Sequence, residues 1–269
     1  MSRRISREVF LECVAVINVK GPGSISLTLK QKNQKSTQNR LLGALPDNEY
    51  EPLVPKLDLV PLSLGQVIYE PHDKLSHVYF PTTAIVSLLY TMRDGTSAEI
   101  GIVGCDGVVG IAVFMGGDTM PNRAVVQSAG EALRLPVSLF RKEASQLGEL
   151  HRLLLLYAQT LLTQMSQTAV CNRLHSVEQQ LCRWLLLSHD RLESNELLMT
   201  QELIANMLGV RREGVSVAAH MLQDANLIRY KRGHITVVDR AGLEARVCEC
   251  YQVVKTECDR LLPYQLQSP

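Results

Sequence analysis

No window of about 18 uncharged apolar residues occurs anywhere in the chain, which removes a transmembrane helix from consideration. The first thirty residues also lack an apolar stretch followed by a small-residue cleavage site, so a soluble cytoplasmic protein is expected. Enzyme signatures are missing as well: there is no G-x-S-x-G, no phosphate-binding Walker loop and no H-E-x-x-H, and no local acid/base set invites a catalytic reading. An excess of one charge is absent too, since the formal net charge is +1.

What is present excludes disorder. Of 269 residues, 46% are apolar, enough for one large or two ordinary cores. Seven cysteines, at 13, 105, 171, 182, 248, 250 and 258, form an odd set, mostly inside apolar helical patterns, and read as reduced thiols. The charge is partitioned: residues 1–40 carry eight Lys/Arg against two Asp/Glu, whereas residues 41–140 carry five against eleven. Near-neutrality therefore says little about partners, because anion binding needs only a local basic face.

The basic extension 1–38 shows no sustained apolar period beyond a short candidate strand at 14–19, and is expected to be mobile. From Leu57 short apolar runs recur at 59–64, 67–69, 77–80, 85–91, 99–103, 124–127 and 131–136, divided by turn residues such as Asp94-Gly95. This spacing predicts an antiparallel β-roll over 39–137. At Ser138 the period becomes helical, and one long helix is expected over 138–175. Leu147, Leu150, Leu154, Tyr157, Leu161 and Thr168 fall near a three-four alternation, read as a dimer seam, with packing on the chain's own sheet as the alternative.

Ser176-Val177-Glu178-Gln179 is a capping box opening a new unit, 176–243. Thr200 caps a helix that Gly209 ends, residues 211–224 form the next, and strands at 228–229 and 235–238 flank Gly233. A final helix is expected over 241–262, within the closing segment 244–269. Ala205, Gly209 and Val215 stand where two crossing helices need a small contact, a left-handed stop and a shared core residue. That is helix-turn-helix geometry followed by a wing, and the fold class is α+β.

In such a unit the outward residues of the second helix enter the major groove: Arg211, Arg212, Glu213, Ser216 and Val217. Arg can bond guanine O6 and N7, Glu can accept from cytosine N4, and Val217 can meet a thymine methyl. Thr200, Gln201, His220, Lys231, Arg232 and His234 are the phosphate candidates. The rival is a signalling or scaffold protein whose winged helix binds protein.

Tyr79-Phe80-Pro81, the ladder Gly101, Gly104, Gly107 and Gly110, Asn172-Arg173-Leu174, and the stretch 200–227 together resemble the Crp/Fnr transcription regulators over residues 39–243. The resemblance implies a cyclic-nucleotide-binding-like roll, a long dimer helix, a homodimer on two-fold operator DNA, and RNA polymerase as a further partner. Many members carry Glu, Ser and then Arg on the recognition helix. Here Glu213 and Ser216 match, but Val217 replaces the Arg, which puts the family's best-known half-site in doubt.

The family's phosphate cassette falls on Gly110-Ile111 and Asn122-Arg123-Ala124. Ile111 cannot accept from a ribose hydroxyl, and Arg123 is displaced by one residue, so cyclic AMP in the usual mode is not expected. A different anion, or plain roll turns, are the two readings left open for this segment. An iron–sulfur version resembles clustered N-terminal cysteines, and this tail has Cys13 alone, so no cluster is expected. No metal site is expected either, because Cys248 and Cys250, two apart on a predicted helix, diverge by about 200°. With Cys258 they are read as small helix residues, a thiol switch being the alternative. His77 is read as a surface strand histidine, with haem ligation as the other option.

Overall fold

A computed structural model describes residues 38–192 and 194–262. The expectation for most of the basic extension, including its candidate strand, lies outside the described residues. Two short helices, α1 (Arg40–Gly43) and α2 (Asp47–Tyr50), lead into seven strands: β1 (Asp58–Leu62), β2 (Val67–Tyr69), β3 (His77–Pro81), β4 (Ile85–Thr91), β5 (Ser97–Val103), β6 (Arg123–Ser128) and β7 (Gly130–Pro136). They form two antiparallel sheets, ordered β1-β7-β3 and β2-β6-β4-β5. Strand β3 shows why: Val78 and Phe80 are fully buried while His77 and Tyr79 between them are half-exposed, the period-two signature of a one-sided sheet. Phe80 meets Phe140 edge-on at 6.2 Å, closing the roll with α3 (Val137–Ala144).

Strand β4 departs from alternation, with its first five residues all buried. Val86 and Leu88 face the roll interior, whereas Ile85 joins the core of the winged unit and Leu89 packs with Val125 and Met207. An uninterrupted apolar run is what a strand covered on both faces requires.

The helix expected over 138–175 is two helices. It breaks at 145–148, where Leu147 takes a left-handed φ of 55°, and restarts as α4 (Glu149–Leu174). The restart is set from outside: the Glu49 carboxylate accepts from the backbone N–H of Glu149 at 2.7 Å and of Leu150 at 2.9 Å, supplying partners for two first-turn amides. The predicted dimer seam is corrected too. Leu147 is exposed in the turn, while Leu150, Leu154, Tyr157, Leu161 and Thr168 are buried in the chain's own core. The apolar side chains that α4 leaves exposed are Leu155, Leu162, Val170 and Leu174.

Close approach of neighbouring side chains explains two members of the glycine ladder. A Cβ on Gly107 would overlap the Tyr157 ring, and one on Gly104 would sit 2.7 Å from Arg191. Gln164 reaches the sheet edge, accepting from the Ile102 N–H and donating to its carbonyl at 3.2 and 3.1 Å, so the edge strand's polar groups are covered by a side-chain amide.

The second unit comprises α5 (Val177–His189), β8 (Glu196–Leu198), α6 (Gln201–Leu208), α7 (Arg212–Asp224), β9 (Ile228–Lys231), β10 (His234–Val237), α8 (Arg240–Arg246) and α9 (Glu249–Leu261). Strand β8, which no apolar period announced, pairs antiparallel with β10. The terminal helix expected over 241–262 is also interrupted: α8 ends at Val247, and Cys248 is the extended N-cap of α9. Among the described residues no helix is long and apolar enough to cross a membrane.

Candidate nucleic-acid interface

The interface is built from two caps and a turn. Ser176 and Gln179 form the reciprocal capping box that starts α5. Thr200 Oγ accepts from the Leu203 N–H at 3.3 Å, starting α6. Gly209 stops α6 at φ 66°, and the Val210 N–H returns to the Ala205 carbonyl at 3.0 Å. Ala205, Val215 and Leu222 are buried between the helices, as the spacing required. Gly209 has a second constraint: a Cβ there would lie 3.2 Å from Ala98 Cβ, because the turn rests on the roll.

The packing turns one face of α7 outward. Arg211 is its N-cap, and Arg211, Arg212, Glu213 and Val217 are exposed while Ser216 is half-buried. His220 is exposed and donates from Nδ1 to the Ser216 carbonyl at 2.7 Å, which leaves Nε2 for another partner. Met221, 46% exposed four residues after Val217, adds an apolar side chain to this face that no spacing rule singles out. The wing turns through Arg232 (φ 51°) and Gly233 (φ 81°) between paired Lys231 and His234, the two-residue geometry that matches strand twist. Lys231, Arg232 and His234 are exposed, as is Thr200, and Gln201 is half-buried at the start of α6. Behind them Tyr230 donates to the Met199 carbonyl at 2.9 Å, and burial pushes its phenol up to about 12, so it stays neutral.

The roll encloses a small cavity. This cavity is about 10 Å³, the space of one water, lined by Tyr69, Leu88, Val108, Ile111, Met120 and Leu161 among others. Of the cassette positions, Gly110 and Ile111 line it. Asn122 is buried and donates to the Tyr69 hydroxyl at 3.2 Å, Ala124 is buried within β6, and Arg123 pairs with Glu70 at 3.1 Å. His77 lies outside this cavity, bonded to Ser76 Oγ at 3.0 Å, and partial burial with the charge of Arg134 lowers its pKa.

The reading of Cys248 and Cys250 is corrected by the break before α9. They do not share a helix, so they do not diverge, and both lie beside Cys171 and His175. Cys258, two turns further along α9, is not in that group.

Two sequence comparisons agree with this architecture. Residues 59–146 match the cyclic nucleotide-binding domain, and residues 179–246 match the Crp-like helix-turn-helix domain. The chain belongs to the Crp/Fnr family of transcriptional regulators. The fold of this Crp/Fnr protein is similar to that of FixK2 from Bradyrhizobium japonicum, at 17% identity and TM-score 0.60, covering 71% of this chain and 98% of that one. A CRP-family transcriptional regulator from Thermus thermophilus aligns at 16% identity and TM-score 0.58, covering 69% and 95%. The c-di-GMP-responsive global regulator CLP from Xanthomonas campestris aligns at 13% identity and TM-score 0.54, covering 71% and 99%. Comparison with curated protein sequences gives no match.

Proposed function

We propose that this Crp/Fnr protein is a cytoplasmic regulator that binds two-fold operator DNA as a homodimer and is controlled through its β-roll. The observation that carries the reading is the exposed Arg211-Arg212-Glu213 start of α7, followed by Val217 on the same face and accompanied by the basic wing. In a helix-turn-helix the first residues of the second helix meet base edges, and flanking caps and wings hold phosphates. Arg211, Arg212, Glu213, Ser216 and Val217 read bases. Thr200, Gln201, His220, Lys231, Arg232 and His234 hold the backbone.

Two recognition helices presented by a two-fold dimer meet half-sites about 34 to 36 Å apart. The exposed stripe Leu155, Leu162, Val170 and Leu174 on α4 supports the helix as the dimer contact, on the face opposite to the predicted seam. RNA polymerase is the natural further partner of such a regulator.

The effector is not cyclic AMP in the family's usual mode, a reading supported by Ile111 at the ribose position and by Arg123 engaged with Glu70. A ligand larger than a water that entered the cavity of about 10 Å³ would have to part its lining. Signal transfer has a short route, because β4 and β5 contribute Ile85 and Ile102 directly to the winged-helix core. A change in the roll would then shift the α6–α7 unit, provided the effector binds two packings with different affinity. Electrophoretic mobility shift with the operator and with unrelated duplex, across salt, tests the DNA reading. A regulator gives steep salt dependence and sequence preference, and a protein-binding winged helix gives neither.

A further inference from the structure

The group formed by Cys171, His175, Cys248 and Cys250 is not used by the DNA-binding reading. Cys171 and His175 stand four apart at the end of α4 and so share one face. Cys248 caps α9, and Cys250 lies in its first turn. Cys171 Sγ and Cys248 Sγ are 3.6 Å apart, and so are Cys250 Sγ and His175 Nδ1. All four ligand atoms lie within 4.8 Å of one another, and the three cysteines are buried.

These separations match a tetrahedron around one ion. With metal–sulfur bonds of about 2.3 Å, the edge between two sulfur ligands is about 3.8 Å. An iron–sulfur cluster would interpose irons and sulfides and spread its thiolates further. Three thiolates and an imidazole are the donor set of a closed zinc site rather than of a hard cation held by oxygen.

The surroundings are those of a metal site. His175 presents Nδ1 inward, while Nε2 faces a Glu249 carboxylate oxygen at 3.5 Å, the outer partner that fixes a ligating imidazole. The Cys250 backbone N–H bonds the Cys248 sulfur. Gln180 holds the His175 carbonyl at 2.9 Å, fixing the end of α4. Three thiolates and a divalent cation sum to one negative charge, and the buried guanidinium of Arg183 acts on both Cys171 and Cys250 with the opposite sign.

We propose that Cys171, His175, Cys248 and Cys250 bind one zinc-type divalent cation that clamps the junction between the long helix and the winged unit. His175 is the residue at which α4 ends and Ser176 caps α5, so the ion ties this hinge to the segment following α8. It is a structural centre with four protein ligands and no open position.

The test uses the full chain, reduced, loaded with one equivalent of zinc sulfate and gel-filtered before elemental analysis. About one zinc per chain is expected, with Cys248→Ser and His175→Gln each losing at least half of it and Cys258→Ser and Cys13→Ser retaining it. Cobalt(II) in place of zinc keeps the test decisive if a variant fails to fold, since the unmodified protein should show tetrahedral cobalt bands with intense thiolate charge transfer. A folded, reduced protein that takes up neither metal overturns the proposal. So does metal retained in a folded Cys248→Ser, Cys250→Ser double variant. A Cys171–Cys248 disulfide in metal-free protein that refuses zinc after reduction would make the group a thiol switch instead.

Discussion

The hydroxyl of Ser87 lies 2.6 Å from a carboxylate oxygen of Glu99, and the same hydroxyl lies 2.6 Å from the side-chain oxygen of Gln127. One hydroxyl has a single proton to give, so with the Gln127 amide turned to give its nitrogen to Ser188, both contacts are satisfied together when Glu99 is protonated and donates. Gln127 in turn donates to Ser188 of α5 at 3.1 Å, so the chain of bonds runs from the roll into the winged unit.

Burial raises the Glu99 pKa from 4.5 to about 7, with Ser87, Arg183, Trp184 and Arg191 opposing the rise. The folded chain therefore binds more protons than the unfolded one between these values, and stability falls as pH climbs from about 4.5 to about 7. Glu99→Gln should melt higher than the parent at pH 8 and close to it at pH 5. Equal differences at the two pH values, by thermal melting, would contradict the protonated assignment.

Arg191 and Asp106 form a buried two-pronged pair, at 2.6 and 3.0 Å, between the loop after α5 and the turn after β5. Removing one partner strands the other charge, so Arg191→Ala should cost about 3 to 5 kcal/mol in urea denaturation. A loss under about 1 kcal/mol, the scale of an exposed pair, would show that the pair is wetted and weak.

On the long helix two neighbouring leucines should behave oppositely. Leu161 is buried in the chain's core, whereas Leu162 is 59% exposed. Leu162→Arg, alone or with Leu155→Arg, should leave the melting temperature of each chain nearly unchanged while shifting sedimentation from dimer to monomer. Leu161→Arg should unfold the roll. A Leu162→Arg dimer of undiminished affinity would move the interface elsewhere.

If α7 reads bases and the wing holds phosphates, as proposed, the two groups should separate by their salt behaviour. Arg212→Ala should lose about 1 to 3 kcal/mol on the preferred operator and discriminate less at one base pair. Lys231→Ala should weaken binding to every sequence alike and lower the salt slope by about 1. The two variants giving the same pattern would refute the division of roles.

Gly107→Ala is expected to destabilise by about 1 to 3 kcal/mol, because the added methyl overlaps the Tyr157 ring and the long helix must move to admit it. Chemical denaturation checks this. A neutral effect would mean that the helix is not seated on the roll in solution.

Much of this was legible in the residues, for definable reasons. Strand positions and the capped helices follow from local rules: Val78 and Phe80 alternate, Gln179 sits three residues after Ser176, and Gly209 takes the left-handed stop. The failures are non-local. Nothing near Gly148 announces that Glu49, a hundred residues earlier, caps the helix there. The three-four pattern of Leu150, Leu154, Tyr157 and Leu161 is correct as a buried stripe, but periodicity cannot name what covers it, and the roll and the end of α9 share that core. Strand β8 is too short to show a period and exists because β10 pairs with it. The cysteine group needed two separate signals joined: Cys171 and His175 at helical spacing, and Cys248-x-Cys250 at a helix start rather than inside one.

The central claim is that α7 reads DNA. Selection of bound sequences from a random duplex pool, with the parent protein and Arg212→Ala in parallel at two salt concentrations, tests it most directly. The account predicts a two-fold sequence enriched by the parent and blurred at one position by the variant, with affinity falling steeply as salt rises. Identical sequences recovered by parent and variant would contradict it.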